Sequence, residues 1–270
     1  MIARLATAAL LALTGAAKPS TPPVITVIAT DFAFEIPGGE NATAPAGPVT
    51  LRLVNHGKEL HMMAVIWLGD KTVSDFMNKV THDAVEGMGV GGVNAIAPGD
   101  TGTATVILEP GNAVIACWVS SADGKAHVLK GMFAPLRVEP NAGQPAAEPH
   151  ATSDIALHDY AITVPNGLRA GRHLFRVDND GSITHDLELF RVSPGGDTTD
   201  VMAWLDNPAV GSPRITPLGG IVGEQHGLHS YFSATLTPGD YMFLCWIPDA
   251  KTGVPHFYGH HMWTTVHVSP

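Results

Sequence analysis

The second half of this chain restates the first, and that repetition constrains the fold more than any other feature. Gly91-Gly92, Pro110-Gly111 and Cys117-Trp118 return 128 residues later as Gly219-Gly220, Pro238-Gly239 and Cys245-Trp246. Upstream, Asp31-Phe-Ala-Phe-Glu-Ile-Pro37 is answered by Asp159-Tyr-Ala-Ile-Thr-Val-Pro165. Ala46-Gly47 ahead of Leu51–Val54 is likewise answered by Ala170-Gly171 ahead of Leu174–Val177. Spacing held over such a span argues for duplication of one folding unit. The expected division is a first domain over 18–140, a linker over 141–152 with Pro and Ala but no apolar period, and a second domain over 153–270.

Each unit reads as all-β. Val24–Ile28, Val49–Val54, Met63–Leu68, Thr103–Leu108, Ala113–Val119 and Leu136–Val138 are β-branched or alternating, and turn residues separate them. The 29 Gly and 21 Pro agree with many turns. Such spacing predicts a sandwich of two sheets. Ser74-Asp75-Phe76-Met77 and Thr199-Asp200-Val201-Met202 each offer a capping residue, a first-turn acid and an apolar side, so a short helix is expected at both. Trp118 and Trp246, on the opposite strand face from the cysteines, and the methionines Met62, Met63, Met77, Met88 and Met202 read as packing residues.

The chemistry sits where a strand ends in Cys-Trp. Cys117 is followed by His127 and Met132, Cys245 by His256 and Met262, and an isolated histidine, His61 or His185, lies upstream of each. One soft thiolate, two imidazoles and a thioether are the donor set of a blue copper site, a trigonal His₂Cys core with a weak axial Met. The set occurs twice in the same order. In the second half Phe257-Tyr-Gly-His-His261 intervenes before Met262, one residue more than in the first, so His260 and His261 are alternative axial donors there. Counting back from the final strand favours Met262, since Met132 to Val138 and Met262 to Val268 span the same number of steps.

On these residues each half resembles a cupredoxin, the blue copper family of plastocyanin, azurin and the domains of multicopper oxidases. The matching pieces are the upstream His after an Asn- and Gly-containing turn (Val54 to His61; Val177 to His185), the strand-end Cys, and the His and Met that follow. The resemblance implies two tandem Greek-key β-sandwich domains, one copper per domain, single-electron transfer, and a partly exposed loop histidine as the electron port. Nine residues separate Cys117 from His127 and ten separate Cys245 from His256. That loop is longer than in small electron carriers and nearer to the blue copper domain of copper nitrite reductases.

Other readings meet specific obstacles. A disulfide between the only two cysteines would need equivalent interior positions of two domains to come within about 7 Å. The oxidases and nitrite reductases of the family couple the blue site to a second centre through a His before the Cys. Here that position is Ala116 or Leu244, and no His-x-His pair occurs. An enzyme of this kind would have to build its extra centre from loop or intersubunit histidines, such as His226, His229, His260 or His261. Copper storage or delivery would use the same ligands as electron transfer. No Ser elbow or HExxH motif supports a hydrolase.

Residues 1–17 carry one basic residue, Arg4, then an apolar run and Gly15-Ala16-Ala17, the layout of a cleavable secretory leader. The mature protein is therefore expected in the periplasm or outside the cell, with no membrane span. Loss of Arg4 leaves 14 basic against 25 acidic residues, a charge of −11 in place of −10. That field disfavours nucleic acid and anionic membranes, and suits a redox partner protein with a neutral or basic docking face.

Overall fold

A computed structural model describes residues 20–82, 89–206 and 214–270. The expected leader over 1–17 and Met88 lie outside the described residues. The first half runs β1 (Val24–Thr30), β2 (Ala33–Glu35), β3 (Thr43–Pro45), β4 (Gly47–Asn55), β5 (His61–Gly69), α1 (Val73–His82), β6 (Gly89–Ile96), β7 (Thr101–Leu108), β8 (Gly111–Ala116) and β9 (Phe133–Glu139). The second runs β10 (Ser153–His158), β11 (Ala161–Thr163), β12 (Gly171–Asn179), β13 (His185–Val192), α2 (Thr198–Asp206), β14 (Ile215–Glu224), β15 (His229–Leu236), β16 (Gly239–Leu244) and β17 (Trp263–Val268). The all-β expectation holds, with both short helices in place.

Strand burial follows what covers each face. β9 alternates, with Ala134, Leu136 and Val138 buried and Arg137 and Glu139 exposed, because only one of its faces meets the core. β13 is buried without interruption from His185 to Phe190. Its outer face lies under α2, where Phe190, Met242 and Leu244 cluster with Val201 and Trp204. In the first half α1 covers β5 in the same way, placing Phe76 among Ala64, Ile66 and Leu68. Trp118 and Trp246 are half-buried and pack against these outer clusters.

Reciprocal capping fixes where the helices start, earlier than Ser74 and Thr199. Thr72 Oγ1 accepts the Asp75 N–H at 3.2 Å, and Asp75 Oδ2 accepts the Thr72 N–H at 2.8 Å. Before α2, Asp197 Oδ1 accepts the Thr199 N–H at 2.8 Å while Asp200 Oδ2 accepts the Asp197 N–H at 3.1 Å. Each pair satisfies two otherwise orphaned donors.

The two halves share their sheets. One sheet has the order β11-β10-β12-β15-β7-β4-β1-β2 and the other β17-β16-β13-β14-β6-β5-β8-β9-β3. At the seam equivalent strands meet antiparallel: Val93 lies opposite Ile221 and Ala104 opposite Phe232. Both pairs are 128 residues apart, so an approximate twofold axis passes between the halves. One buried core continues across it, from Val93, Ala104 and Val106 to Ile221 and Phe232.

The glycine pairs of the repeat sit inside β6 and β14. A Cβ on Gly92 would lie 2.0 Å from the Met63 carbonyl oxygen, and one on Gly220 would lie 1.8 Å from that of Leu187. Both glycines have left-handed φ, +147° and +150°. Their close approach coincides with register shifts between His61 and Met63 and between His185 and Leu187. The bulge thus falls beside the first histidine of each group, where such irregularities re-aim a side chain.

Candidate metal centre

Each donor group is assembled from one turn, one strand end and one loop. The turn between β4 and β5 is held by Asn55, whose fully buried amide donates to the Glu59 carbonyl at 2.9 Å and the Ile96 carbonyl at 3.0 Å. Its Oδ1 accepts the Gly57 N–H at 2.8 Å. Asn179 repeats all three bonds in the second half, to Ile183, Glu224 and Gly181. A buried amide with its hydrogen-bonding capacity used in this way locks the turn that delivers His61 or His185.

The loop after the cysteine is tied back to the strand end. Cys117 N–H donates to the Met132 carbonyl at 3.2 Å, Val128 N–H to the Cys117 carbonyl at 2.8 Å, and His127 N–H to the Val119 carbonyl at 2.8 Å. The second half matches with Cys245 to Met262 at 3.1 Å, Phe257 to Cys245 at 2.9 Å and His256 to Ile247 at 2.9 Å. Met262 therefore occupies the register of Met132. The extra residue is absorbed at His261, which takes a left-handed φ of +53° where the first half has Gly131 at +100°. Met132 and Met262 are buried, whereas His261 is exposed and His260 stacks on Tyr160 with ring centroids 3.6 Å apart.

The donor atoms converge. Cys117 Sγ lies 4.0 Å from His61 Nδ1 and 3.4 Å from His127 Nδ1, and the two nitrogens are 3.2 Å apart. Cys245 Sγ lies 3.7 Å from His185 Nδ1 and 3.5 Å from His256 Nδ1. First-row metal bonds of about 2.0 Å to N and 2.3 Å to S, set at trigonal angles, separate donors by roughly 3.5–3.7 Å. The observed triangles bracket those values. Both cysteines are buried free thiols and form no disulfide. Burial pushes the Cys117 thiol up to about 12 and that of Cys245 well above its usual value, so a thiolate at either place needs a cation beside it. Backbone N–H groups point at each sulfur, from Met62 at 3.5 Å and Val119 at Cys117, and from Asp186 at 3.4 Å and Ile247 at Cys245.

Burial also keeps the histidines neutral, the form that binds metal. Desolvation lowers His61, His127 and His185, and lowers His256 to about 4 with help from His185 and His260. The far nitrogens face carboxylates: His61 Nε2 lies 3.4 Å from Asp31 Oδ1 and His185 Nε2 3.5 Å from Asp159 Oδ1. His127 Nε2 donates to Glu59 Oε2 at 2.9 Å. At His61 and His127 the carboxylate bonded to the far nitrogen fixes the tautomer that leaves Nδ1 free to coordinate. Gly57 and Gly181 close this side, since a Cβ on either would stand 2.5 or 2.9 Å from the histidine Nε2.

The loop histidines are not the partly exposed ports that the resemblance implied. His127 is 0% exposed and His256 1%. The edge of Phe32 covers His127 and that of Tyr160 covers His256, both at 5.1 Å between centroids. Phe32 and Tyr160 occupy the same position of the repeat and share a left-handed φ, +67° and +64°. Lys130 sits 4.6 Å over the Phe32 ring and pairs with Asp123 at 2.9 Å. In the second half His260 stacks on Tyr160 and lies 3.4 Å from Asp249.

The other histidines singled out in the sequence disperse. His226 contacts the Gly181 carbonyl at 2.5 Å, and His229 pairs with Glu148 at 2.8 Å. Among the described residues the grouped metal donors are His61, Cys117 and His127, and His185, Cys245 and His256. Sequence reasoning missed Asp31, Asp159, Asn55, Asn179, Phe32 and Tyr160, although all but the aromatic pair are identical in the two halves. It also missed Glu59, which has no such echo.

No family model matches the sequence, and no curated protein matches it. Solved structures do. Auracyanin from Roseiflexus castenholzii aligns at 17% identity over 45% of this chain and 99% of that one, with a TM-score of 0.34. Auracyanin A, described as a "blue" copper protein from Chloroflexus aurantiacus, aligns at 17% identity over 43% and 99%, also at 0.34. A copper nitrite reductase from Nitrosomonas europaea aligns at 13% identity over 93% of this chain and 94% of that one, at 0.27. On its own strand order and donor geometry, the chain is an all-β protein of two cupredoxin-like sandwich halves, each with a buried His-Cys-His group and a nearby methionine that fit copper.

Proposed function

We propose that this is an exported copper protein that passes single electrons. One ion is held by His61, Cys117, His127 and Met132, and a second by His185, Cys245, His256 and Met262. The reading is carried by the two triangles of Sγ and paired Nδ1 atoms, spaced for a trigonal ion and fixed on buried backbone. Bound copper supplies a one-electron couple, and the mixed soft and borderline donors suit both of its oxidation states.

The chain's own residues do the rest. Asn55 and Asn179 lock the turns, Asp31 and Asp159 face the strand histidines, and the Cys-to-Met backbone bond ties the loop to the sheet. Little has to move when charge changes, which keeps the reorganisation cost of electron transfer low. Phe32 and Tyr160 exclude water from the loop histidines. A carrier, rather than an enzyme, is supported by Ala116 and Leu244 before the cysteines and by the separate partners of His226, His229 and His260. The net charge of −10 favours a redox partner with a neutral or basic face.

The test is stoichiometric. Copper-loaded protein titrated with a one-electron donor should take up two electrons per chain and return them, with no sustained consumption of nitrite, of phenols or of oxygen. Steady turnover of any of these overturns the carrier reading.

A further inference from the structure

We propose that Glu59 is a positioning residue that acts through His127 to hold the first site toward its oxidised state, and that the second half lacks this device. The inference rests on the copper reading above. Glu59 Oε2 accepts the Nε2–H of His127 at 2.9 Å. The backbone of Glu59 is anchored although its side chain is 35% exposed. Its own N–H reaches Asp31 Oδ1 at 3.3 Å, and its carbonyl accepts from Asn55 at 2.9 Å. The turn that supplies His61 thus also supplies the support for the loop ligand, 68 residues away in sequence.

The second half keeps the turn and drops the acid. Asn179 repeats the bonds of Asn55, and Ser182 N–H reaches Asp159 Oδ1 at 2.7 Å as Lys58 N–H reaches Asp31 at 2.7 Å. Two residues before the histidine, however, stands Ile183 in place of Glu59. His256 is met instead by the edge of Tyr160 and by His260, at 5.1 and 5.9 Å between centroids.

A carboxylate on the far nitrogen makes the imidazole a stronger donor and adds negative charge near the metal. Both effects favour Cu(II) over Cu(I). Solvent screening at the rim limits their size, so a change of about tenfold in the reduction equilibrium is expected, or ~59 mV for a one-electron couple.

The experiment isolates each site in the full chain, with Cys245→Ala leaving only the first and Cys117→Ala only the second. Potentials are read from the thiolate-to-copper band during a redox titration. Glu59→Gln, which keeps the shape and an acceptor oxygen but loses the charge, should raise the first-site potential by about that amount, and Glu59→Ala by at least as much. In the Cys117→Ala background the same changes should leave the second site unmoved. An unchanged first-site potential with the band intact overturns the role of Glu59, as does an equal rise at the second site. A Cys245→Ala protein that takes up copper with no such band overturns the copper reading itself, a distinguishable failure.

Discussion

The two donor groups are each brought together by the same backbone ties, yet they keep their carboxyl groups in opposite places. Around the first, the extra carboxylate is Glu59, at the rim and on the far nitrogen of His127. Around the second, acids lie inside. Asp186 is buried beside Cys245 and accepts the Trp246 N–H at 2.6 Å, and Glu188 and Glu224 are buried as well. The matching first-half residues are Met62, Ala64 and Ile96. Ligand geometry is therefore set by the turn, the strand end and the loop, and tolerates very different placement of carboxyl groups around it. A rim carboxylate acts through one hydrogen bond and is screened, whereas a buried one must be held neutral or matched by donors.

The sharpest way to break the comparison is to remove one sulfur at a time. Cys117→Ala and Cys245→Ala should each abolish one copper equivalent and its share of the visible band while leaving the other, measured by metal analysis with absorption. If either substitution removes both, the sites are not independent.

Next in size is the cradle of the strand histidine. Gly57→Ala places a Cβ 2.5 Å from both His61 Nε2 and Asp31 Oδ1, whereas Gly181→Ala places one 2.9 Å from His185 Nε2 and 2.7 Å from Asp159 Oδ1. Both should weaken copper at their own site, Gly57→Ala more, with a stability loss of about 1–3 kcal/mol from overpacking. Competitive chelation and thermal melting would show it. Equal effects would mean that the cradle yields.

The buried acids give the second half a pH signature. Desolvation pushes Glu188 and Glu224 well above the ordinary value, with Asp186 adding to the effect on Glu188. The folded chain then binds more protons than the unfolded one above about pH 4.3, where an unfolded Glu ionises. The stability these groups contribute is complete below that pH and is lost as pH rises toward their folded values. For the metal-free protein, Glu188→Gln and Glu224→Gln should be near neutral at pH 4 and stabilising at pH 8, read by denaturant melts. A variant with the wild-type slope would show that its carboxyl is paired.

The smallest effect belongs to the lids. Lys130→Met removes one cation over Phe32 and its ion pair with Asp123, a small loss of stability. Tyr160→Phe keeps the stack on His260 and loses only the hydroxyl bond to Asp249 at 3.2 Å. Neither should change the copper stoichiometry.

Much of this was legible in the sequence because duplication prints each ligand twice. His61 with His185, Cys117 with Cys245 and Met132 with Met262 stand out by repetition, and the β-rich pattern of each half follows from alternation. Other features lacked such a signal. Gly91-Gly92 and Gly219-Gly220 lie within strands, and at Gly92 and Gly220 the neighbouring backbone leaves no room for a Cβ. The pairing of β6 with β14 and of β7 with β15 joins strands more than a hundred residues apart and has no local code. The burial of His127 and His256 depends on Phe32 and Tyr160, which reach them from a distant turn. Glu59 matters only through its contact in space, and comparison of the halves shows it as a difference, Glu against Ile183.

The most direct test of the central claim is a copper titration of the purified full-length chain, followed by metal analysis and visible absorption. The account predicts saturation at two copper ions per chain, with an intense thiolate-to-Cu(II) band that grows linearly to that point and disappears on reduction. A chain that remains colourless at saturation with both thiols still reactive, or one whose cysteines are bridged, would contradict it.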